Sequence, residues 1–251
     1  MIACPLPPAS SEISGNERSF SLDTEVPPAG RFVIALVGLA FEARIAAGPG
    51  VFVICRDAEN EVAASLDRGI KRGCRSVISF GVAGGLAPHL RAGDWIVASS
   101  IIDAQQNHPT DRVWSERMLQ MIPGAEHARI IGVDAAITDP RAKQQIHINT
   151  GAVAVDMESH HVARFASTHG LSFAAVRVVI DPAHRAVPAA AIAGMRPGGG
   201  TSVTAVLREL IASPAQLSSL LRIAADAYTA RGALLRARRM LGPAFGLVDL
   251  G

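Results

Sequence analysis

Short apolar runs and segments with helical spacing alternate along most of the chain. Uninterrupted apolar runs are typical of strands that are buried on both faces. Such runs predict strands at 31–38, 51–55, 76–80, 95–102, 129–133, 153–155 and 173–180. Apolar residues that recur every three or four positions predict helices at 58–73, 112–122, 140–150, 162–169, 202–212 and 214–241. Because strands alternate with helices, we expect an α/β fold: a single domain at 31–251 with a central, mixed, mostly parallel β-sheet flanked by helices.

Several residues indicate where helices end and where the chain turns. Gly73 is placed to end the first predicted helix, and Asp139 or Thr138 to cap the third. Residues 39–44 directly follow the first strand, and we expect them to form a turn. The segment 182–200 is rich in Pro, Ala and Gly, which predicts a loop that could act as a flap.

The last predicted helix carries an apolar stripe and a run of basic residues. The stripe, which is typical of a core-facing or subunit-facing side, consists of Leu217, Leu220, Leu221, Ala224 and Tyr228. The basic run consists of Arg231, Arg236, Arg238 and Arg239. A basic helix can contact a membrane surface, but such a run is also typical of a solvated helix face.

Composition excludes several classes of protein. The 251 residues are 49% apolar, enough for one sizeable core, and only 4% aromatic, so this core must be mostly aliphatic. A net charge of +2 with interspersed signs gives no basic surface for nucleic acid. No apolar run reaches the roughly 18 residues of a membrane span. The three cysteines lack metal-ligand spacing, so we expect reduced thiols, no metal and a cytoplasmic protein. Residues 1–30, rich in Pro and Ser, predict a flexible arm rather than a signal peptide.

The chemistry of the chain is concentrated in the segment 153–181. This segment reads as strand, helix, strand, and acidic residues follow the first strand (Asp156 and Glu158) and end the second (Asp181). In an open parallel sheet, ligands bind at the carboxyl ends of the strands. We therefore interpret this unit as the active site.

A glycine cluster follows the strand at 76–80. Gly81, Gly84 and Gly85 let the backbone approach a ligand closely and offer its N–H and C=O groups for recognition. The spacing matches neither a dinucleotide-binding motif nor a phosphate-binding P-loop. Taken alone, the cluster is therefore equally consistent with a tight turn.

Four motifs in order resemble those of one family of enzymes. FGVAGGL at 80–86 and RAGDWIV at 91–97 resemble the glycine-rich signature of the purine and uridine phosphorylase superfamily of nucleoside phosphorylases and nucleosidases. VDMES at 155–159 resembles its ribose-binding segment, and VRVVID at 176–181 resembles the strand that ends in its catalytic aspartate. Glu42 lies where the nucleosidase branch carries a glutamate. The resemblance extends from about residue 31 to the C-terminus.

Within this superfamily, two stretches are similar to the hopanoid-associated branch, the adenosylhopane nucleosidases. These are VDMESHHVARFA with VRVVIDPAHRAVP, and the C-terminal ALLRARRMLGPAFGL. This resemblance implies hydrolysis of adenosylhopane to ribosylhopane and adenine in hopanoid biosynthesis. The alternatives are a methylthioadenosine or S-adenosylhomocysteine nucleosidase, a purine nucleoside phosphorylase, or a protein that binds nucleosides or assembles without catalysis.

The resemblance implies a role for each acidic residue. Asp181 would be the general acid that protonates the purine N7, a contribution of roughly 10²–10⁴-fold in rate. Its position between Ile180 and a proline suggests a pKa raised by burial. Glu158 would accept hydrogen bonds from the ribose hydroxyls and offset positive charge on the sugar, with Met157 and Asp156 in the same ribose-binding segment.

The remaining site residues carry over in the same way. Glu42 would position or deprotonate the attacking water, although an ion pair with Arg44 is the alternative for this residue. The backbone of a further group would contact the base and sugar: Val82, Ala83, Gly84 and Ile137. Phosphate attack needs arginine ligands. Because the run 76–80 before the glycine cluster contains no arginine and Arg44 is the only nearby candidate, water is the favoured nucleophile.

Two positions depart from the family pattern, and both make the site more apolar. Ala136 stands where adenine-specific nucleosidases carry an aromatic residue that stacks on the base. Ile180 stands where the family has a serine that orients the catalytic aspartate. A roomier, more apolar site suits a bulky lipid substituent. The resemblance further implies a small-molecule nucleoside partner that is lipid-linked, a homo-oligomer, no cofactor, and weak contact with the inner membrane through 182–200 or the last helix.

Overall fold

The structure, a computed structural model, describes residues 32–55, 59–187 and 217–247. The strands are β1 Val33–Val37, β2 Val51–Cys55, β3 Ser76–Gly85, β4 Trp95–Ile102, β5 Asn107–Pro109, β6 Glu126–Gly132, β7 Ala154–Asp156 and β8 Ser172–Asp181. The helices are α1 Ala40–Ala46, α2 Glu59–Lys71, α3 Arg112–Met121, α4 Pro140–Thr150, α5 Ser159–His169 and α6 Leu217–Leu241, followed by a 3₁₀ turn at Pro243–Gly246. The predicted arm, the helix at 202–212 and the flap beyond residue 187 lie outside the described residues.

All eight strands belong to one mixed sheet. Its main path runs β2-β1-β3-β7-β6-β4-β5, and β8 lies across this path because it pairs with both β3 and β4. β8 is parallel to β3 and antiparallel to β4, so β3, β7, β6, β4 and β8 close into a ring. Most of the pairs are parallel, which confirms the expected α/β domain with a mixed, mostly parallel sheet.

The core lies on both faces of this sheet, as the uninterrupted apolar runs predict. Successive residues of β1 point to opposite faces: Ile34 and Leu36 join one apolar cluster, whereas Val33 and Val37 join the other. Helices α2 and α5 cover the first face, and α1, α3 and α6 cover the second. The second face is closed by Trp114, whose indole N–H donates to a backbone oxygen of the 3₁₀ turn at 2.9 Å.

Two predicted local features are confirmed and one is wrong. Asp139 caps α4 by accepting a hydrogen bond from the backbone N–H of Ala142 at 2.9 Å, and Gly73 follows α2 with a positive φ of 96°. The turn predicted at 39–44 is instead the short helix α1, and its Glu42 accepts hydrogen bonds from the N–H groups of Gly38 and Leu39 just before the helix. For the glycine cluster, the sequence left a tight turn open as an alternative, and the structure places the cluster within β3, which continues to Gly85 by pairing with β7 and β8.

The apolar stripe on the last helix, predicted to face the core or another subunit, is mostly exposed, with Leu220 half-buried. Leu217, Leu221 and Tyr228 are 49%, 63% and 80% exposed. α6 packs on the sheet through its second half, by Ala230, Ala233, Leu234, Ala237 and Leu241. The stripe is therefore not part of the core of a single chain. Within the described residues, no helix has both the length and the apolarity needed to cross a membrane.

Candidate active site

The candidate site lies where β3 and β8, parallel neighbours, reach their carboxyl ends. Gly84 of β3 pairs with Asp181 of β8, and the register between these strands shifts by one residue at this point. On the other side, Gly84 pairs with Val155 of β7. Because β7 is short, α5 begins close to the same place. The expectation that acidic residues at strand ends come together agrees with this geometry.

A fully buried guanidinium organises the site from below. Arg177, in the middle of β8, donates from Nε to Asp156 at 2.6 Å and from Nη2 to Ser79 at 2.6 Å and to Ser159 at 3.0 Å. Its third nitrogen, Nη1, has no hydrogen-bond partner among the residues that the structure describes. Although burial opposes it, the surrounding carboxylates, chiefly Asp156, keep the pKa of Arg177 above its ordinary value. This cation is therefore permanent.

Glu42 is held almost completely out of solvent beside this cation. Its Oε2 accepts hydrogen bonds from the N–H groups of Gly38 and Leu39, each at 2.9 Å, and its Oε1 accepts one from Val82 at 2.7 Å. Burial raises its pKa to about 7, although the Arg177 guanidinium opposes this rise. The carboxylate of Glu158, which directly precedes α5, adds to the rise. Glu42 can therefore take or release a proton near neutrality.

Two glycines let these charged groups approach the backbone. A Cβ on Gly81 would clash with Glu42 Oε1 and would lie 2.6 Å from Arg177 Nη1. A Cβ on Gly38 would lie 2.5 Å from Glu158 Oε1. Glu158 Oε2 in turn lies 3.8 Å from Arg177 Nη2. The backbone of these two glycines thus lies directly against two carboxylates and one guanidinium, which leave no room for a side chain.

Asp181 stands apart from this cluster, and its partner is a lysine. Lys143 of α4, which is completely buried, donates from Nζ to Asp181 Oδ2, to the backbone oxygen of Pro182 at 3.4 Å and to that of Arg185 at 3.3 Å. The other carboxylate oxygen, Oδ1, faces Gly84, where a Cβ would lie 3.3 Å away. The side chain of Asp181 remains 14% exposed.

The pKa of Asp181 is raised, in the direction expected from its apolar neighbours. Burial is the largest cause, the Lys143 ammonium opposes it, and the Asp226 carboxylate adds to it. The structure thus holds two carboxyl groups with raised pKa values, Glu42 and Asp181, in separate environments. Two such groups near one opening can serve as an acid and a base in the same reaction.

Comparison with protein families assigns the chain to a superfamily. The profile of the phosphorylase superfamily matches residues 50–212, which include the glycine-rich strand, β7 and β8. The chain belongs to this superfamily. No curated protein sequence matches the chain significantly.

Solved structures of this superfamily fold superpose over most of the chain. A 5′-methylthioadenosine/S-adenosyl homocysteine nucleosidase from Campylobacter jejuni is 14% identical with a TM-score of 0.59, covering 84% of this chain and 98% of that one. The futalosine hydrolase of Helicobacter pylori is 14% identical with a TM-score of 0.57, covering 82% and 97%. A 5′-methylthioadenosine/S-adenosylhomocysteine nucleosidase from S. pneumoniae, solved with a transition-state inhibitor, is 15% identical with a TM-score of 0.54, covering 83% and 99%. At these identities the likeness shows the fold.

Most of the residues predicted from the sequence to bind substrate lie on β3 or directly after β7, two strands that pair at Gly84 and Gly85. Val82, Gly84, Met157 and Glu158 are half-buried, and Ala83 is buried in β3. Ile137 is also half-buried and packs against the small apolar cluster that contains Leu86. These positions are consistent with the expected contacts to a base and a sugar, which no bound ligand tests.

Two predicted residues have a different environment from the one expected. Asp156 is buried, and both of its oxygens are engaged, by Arg177 and by the side chain and N–H of Ser159. It therefore supports the guanidinium rather than facing the opening. Arg44 is exposed, two residues beyond Glu42 on α1, so the helix directs the two side chains to different faces.

Some residues of the candidate site were not predicted from the sequence. Arg177 is a charge inside an apolar strand, and such a residue is almost never buried without partners, so the sequence contained a signal for it. Lys143 gave no comparable signal, because α4 is largely polar. Ser79 and Ser159 gave none either.

A further cluster beside the opening contains side chains that can bind a metal. Asp134 Oδ1 lies 3.0 Å from His160 Nε2 and 3.7 Å from His161 Nε2. The hydrogen bond with His160 lowers the pKa of Asp134. These ligand atoms lie within 4.8 Å of one another. However, Asp134 is 86% exposed, and its hydrogen bond with His160 accounts for the arrangement without a cation.

Proposed function

We propose that this protein is a nucleosidase that uses water to cleave the N-glycosidic bond of a 5′-substituted adenosine. One observation carries the proposal: three carboxyl groups from three elements stand against glycine backbone at one end of the sheet. Glu42 lies over Gly81, and Asp181 lies beside Gly84. Glu158 completes the set by its contact with the loop after β1. The chemistry needs an acid, a charge stabiliser and a base, and this set supplies all three.

Asp181 is the group best placed to act as the acid. Loss of adenine as an anion is slow, so protonation of the base at N7 lowers the barrier to cleavage. A carboxyl whose pKa is raised by burial keeps its proton closer to neutral pH. Its Oδ1 faces Gly84, in the glycine-rich segment where the base can approach the backbone.

Glu158 is the group best placed to stabilise the sugar. Cleavage leaves positive charge on the ribose, and a carboxylate that accepts hydrogen bonds from the ribose hydroxyls offsets this charge. The side chain of Glu158 is 18% exposed, so it can reach a bound ligand, and Arg177 lies 3.8 Å behind it.

Glu42 and Arg177 are the groups best placed to bind the attacking water. Both lie directly against Gly81, where a Cβ would be too close to Glu42 Oε1 and to Arg177 Nη1, so the water would lie outside this contact. It could donate to Glu42 and accept from Nη1, which lacks another partner among the described residues. With a pKa of about 7, Glu42 could accept the proton that the water releases during attack.

The same electrostatics favour water over phosphate. A phosphate dianion above Gly81 would lie beside Glu42 and Glu158, and like charges at such distances disfavour each other. The one guanidinium there, Arg177, already donates to Asp156 and two serines. The other candidate phosphate ligand that the sequence suggested, Arg44, is exposed on another face of α1.

Within this class, the substrate that we propose is adenosylhopane, with adenine and ribosylhopane as the products. The support is the resemblance of the segment after Asp156 and of the C-terminal segment to the hopanoid-associated branch. Ala136 and Ile180 add to it, because a small residue and an apolar one at these positions suit a bulky lipid substituent. The alternative is a methylthioadenosine or S-adenosylhomocysteine nucleosidase, the activity named for several proteins that share the fold.

The test is analysis of the products formed from adenosylhopane and from methylthioadenosine, with and without phosphate. Adenine release without phosphate is expected, faster from adenosylhopane. Asp181→Asn should lower turnover by roughly 10²–10⁴-fold while nucleoside binding survives. Asp67→Asn, on the exposed face of α2, is the matched control and should leave turnover unchanged. Phosphate-dependent release with a sugar 1-phosphate would establish a phosphorylase, and no release from any 5′-substituted adenosine would refute the proposal.

A lipid-linked substrate would have to be collected from a membrane, so we also propose weak peripheral binding by a homo-oligomer. The exposed stripe of Leu217, Leu221 and Tyr228 supports a contact surface on α6. Arg238 does not contribute to this surface, because its guanidinium turns inward and donates to Ala46 O at 2.9 Å. Flotation with anionic liposomes should recover part of the protein, and no recovery at low salt would remove the idea.

A further inference from the structure

The strongest unexplained feature of the site is the buried lysine beside the proposed acid. Lysine is almost never completely buried unless it is paired, because removing an ammonium group from water is costly. Lys143 is completely buried, and its Nζ has three acceptors for its three N–H groups. These acceptors are Asp181 Oδ2 and two backbone oxygens directly after β8. The lysine is thus bound to the end of β8 rather than to its own helix.

This contact distinguishes the two oxygens of Asp181. Oδ2 is bound by Lys143 and Oδ1 is not, while a Cβ on Gly84 would lie 3.3 Å from Oδ1 and 3.5 Å from Oδ2. Among the described residues, no other side chain donates a hydrogen bond to Asp181. The side chain of Ile180, the residue before it, packs against the core and has no donor. Without Lys143, no side-chain donor among these residues would hold the carboxyl group against rotation about its Cβ–Cγ bond.

The same contact holds the segment that leaves the strand. The two carbonyls bound by Lys143 belong to Pro182 and Arg185, and Arg185 forms an ion pair with Asp226 of α6 at 2.9 Å. The lysine therefore joins α4, the end of β8 and the following residues into one unit. A displacement of the ammonium would move the carboxyl group and the backbone beside it together.

We propose that Lys143 is a positioning residue that orients Asp181 for proton transfer to the leaving base and stabilises the carboxylate formed when the proton departs. The inference rests on the proposed function, because it presumes that Asp181 is the acid. The proton leaves Asp181 for the purine nitrogen, and the carboxylate that remains is adjacent to a positive charge. Lys143 itself neither touches the substrate nor transfers a proton.

The direction of the electrostatic effect gives a signature that a purely structural lysine would not produce. The Lys143 ammonium opposes the rise in the pKa of Asp181 that burial causes. Removing the ammonium should therefore raise this pKa further. Because the protonated form is the active one, the loss of activity at high pH should move to higher pH in the variant.

The experiment compares Lys143→Met with the wild type in kinetics and in a titration that needs no substrate. We expect kcat for the adenosine substrate to fall roughly 10–100-fold, the range for misplacing a catalytic group, while KM changes little. The high-pH limb of kcat should shift upward. With 4-nitrophenyl riboside, whose leaving group departs without protonation, kcat should be unchanged. Infrared difference titration of the carboxyl group, with Asp181→Asn as the reference, should report the raised pKa directly.

Two controls separate positioning from folding. Arg141→Met removes one positive charge from an exposed position of the same helix and should change none of these readouts. If Lys143→Met unfolds, the double variant with Asp181→Asn removes both buried charges and should fold. In that background, loss of Lys143 should lower the residual kcat no further, because a residue that acts through Asp181 has no effect once the acid is gone.

The outcomes distinguish the inference from the function on which it rests. An active wild type whose Lys143→Met variant keeps the same kcat and pH profile overturns the role of Lys143 alone. An equal loss with the nitrophenyl riboside, or a further loss in the double variant, also overturns it, since either result indicates general structural damage. A wild type that releases no adenine refutes the proposed function, and the role of Lys143 fails with it.

Discussion

The buried carboxyl of Glu42 should make the stability of the protein fall as the pH rises through the acidic range. Its pKa is 4.5 when unperturbed and about 7 in the folded protein. Between these values, the unfolded chain has released the proton and the folded chain has kept it. The folded state therefore binds more protons, and the free energy of unfolding decreases with pH.

The size of this effect follows from the shift. Each unit of pKa is worth about 1.4 kcal/mol, so Glu42 alone should lower the free energy of unfolding by about 3 kcal/mol between pH 4.5 and pH 8. Its contribution to stability is complete below pH 4.5 and is lost above about pH 7. The full amount applies because the side chain is only 2% exposed, so that solvent does not screen it.

Glu42→Gln tests this reasoning because glutamine does not titrate. The glutamine amide would also place its NH₂ group against one of the backbone N–H groups that donate to Glu42. The lost hydrogen bond should lower the free energy of unfolding by about 1–3 kcal/mol at every pH. The informative quantity is therefore the trend: relative to the wild type, the variant should gain about 3 kcal/mol from pH 4.5 to pH 8. Urea unfolding, followed by the fluorescence of buried Trp114, measures it across this range.

A surface glutamate provides the matched control. Glu116 has a side chain that is 52% exposed and pairs with Arg112 one helical turn away, so Glu116→Gln should shift stability by less than about 0.5 kcal/mol with no strong trend. If the difference between Glu42→Gln and the wild type were equally flat, Glu42 would be ionised in the folded protein throughout. Its assignment as a base that titrates near neutrality would then be wrong.

Two further substitutions probe the centre of the site. Gly81→Ala would place a methyl group against Glu42 Oε1 and 2.6 Å from Arg177 Nη1, so it should displace both charged groups, lower kcat at least tenfold and destabilise the fold by about 1–3 kcal/mol. Single-turnover rates and urea unfolding check both effects, and an unchanged kcat would contradict the proposal that these two groups bind the attacking water. Arg177→Met would leave Asp156 buried without its cation and should lower the free energy of unfolding by about 3–5 kcal/mol. Urea unfolding of the double variant with Asp156→Asn tests the cause. A smaller loss of stability in the double variant would confirm that the unpaired charge is responsible, and an equal loss would contradict it.

The sequence predicted the sheet and the acidic strand ends because their signals are local. An apolar run that stops at a carboxylate, such as the one before Asp181, identifies both a buried strand and the end of that strand that carries chemistry. Glu158 could be placed for the same reason. The alternation of strands and helices then gave the α/β fold.

What could not be predicted depends on contacts between distant parts of the chain. Lys143 lies 38 residues before Asp181, and nothing in a polar helix shows that one of its cations turns inward. The helix α1 was missed because it is only seven residues long, and the Glu42 carboxylate at its start is also held by the N–H of Val82, 40 residues away. Period and propensity are properties of short windows, so neither reports such pairs.

The position of β8 between β3 and β4 has a consequence for how the protein acquires activity. β8 is the last strand along the described chain, yet it fills the middle of the sheet, and its residue Ser172 pairs with Ser76. Contacts of such long sequence separation form slowly, because a large loop must close before they contribute stability. Until β8 docks, β3 and β4 expose unpaired edges that can join with other chains. β8 also carries Arg177 and Asp181, so its docking both removes this aggregation risk and assembles the site. A partly folded chain without docked β8 would therefore be both aggregation-prone and inactive.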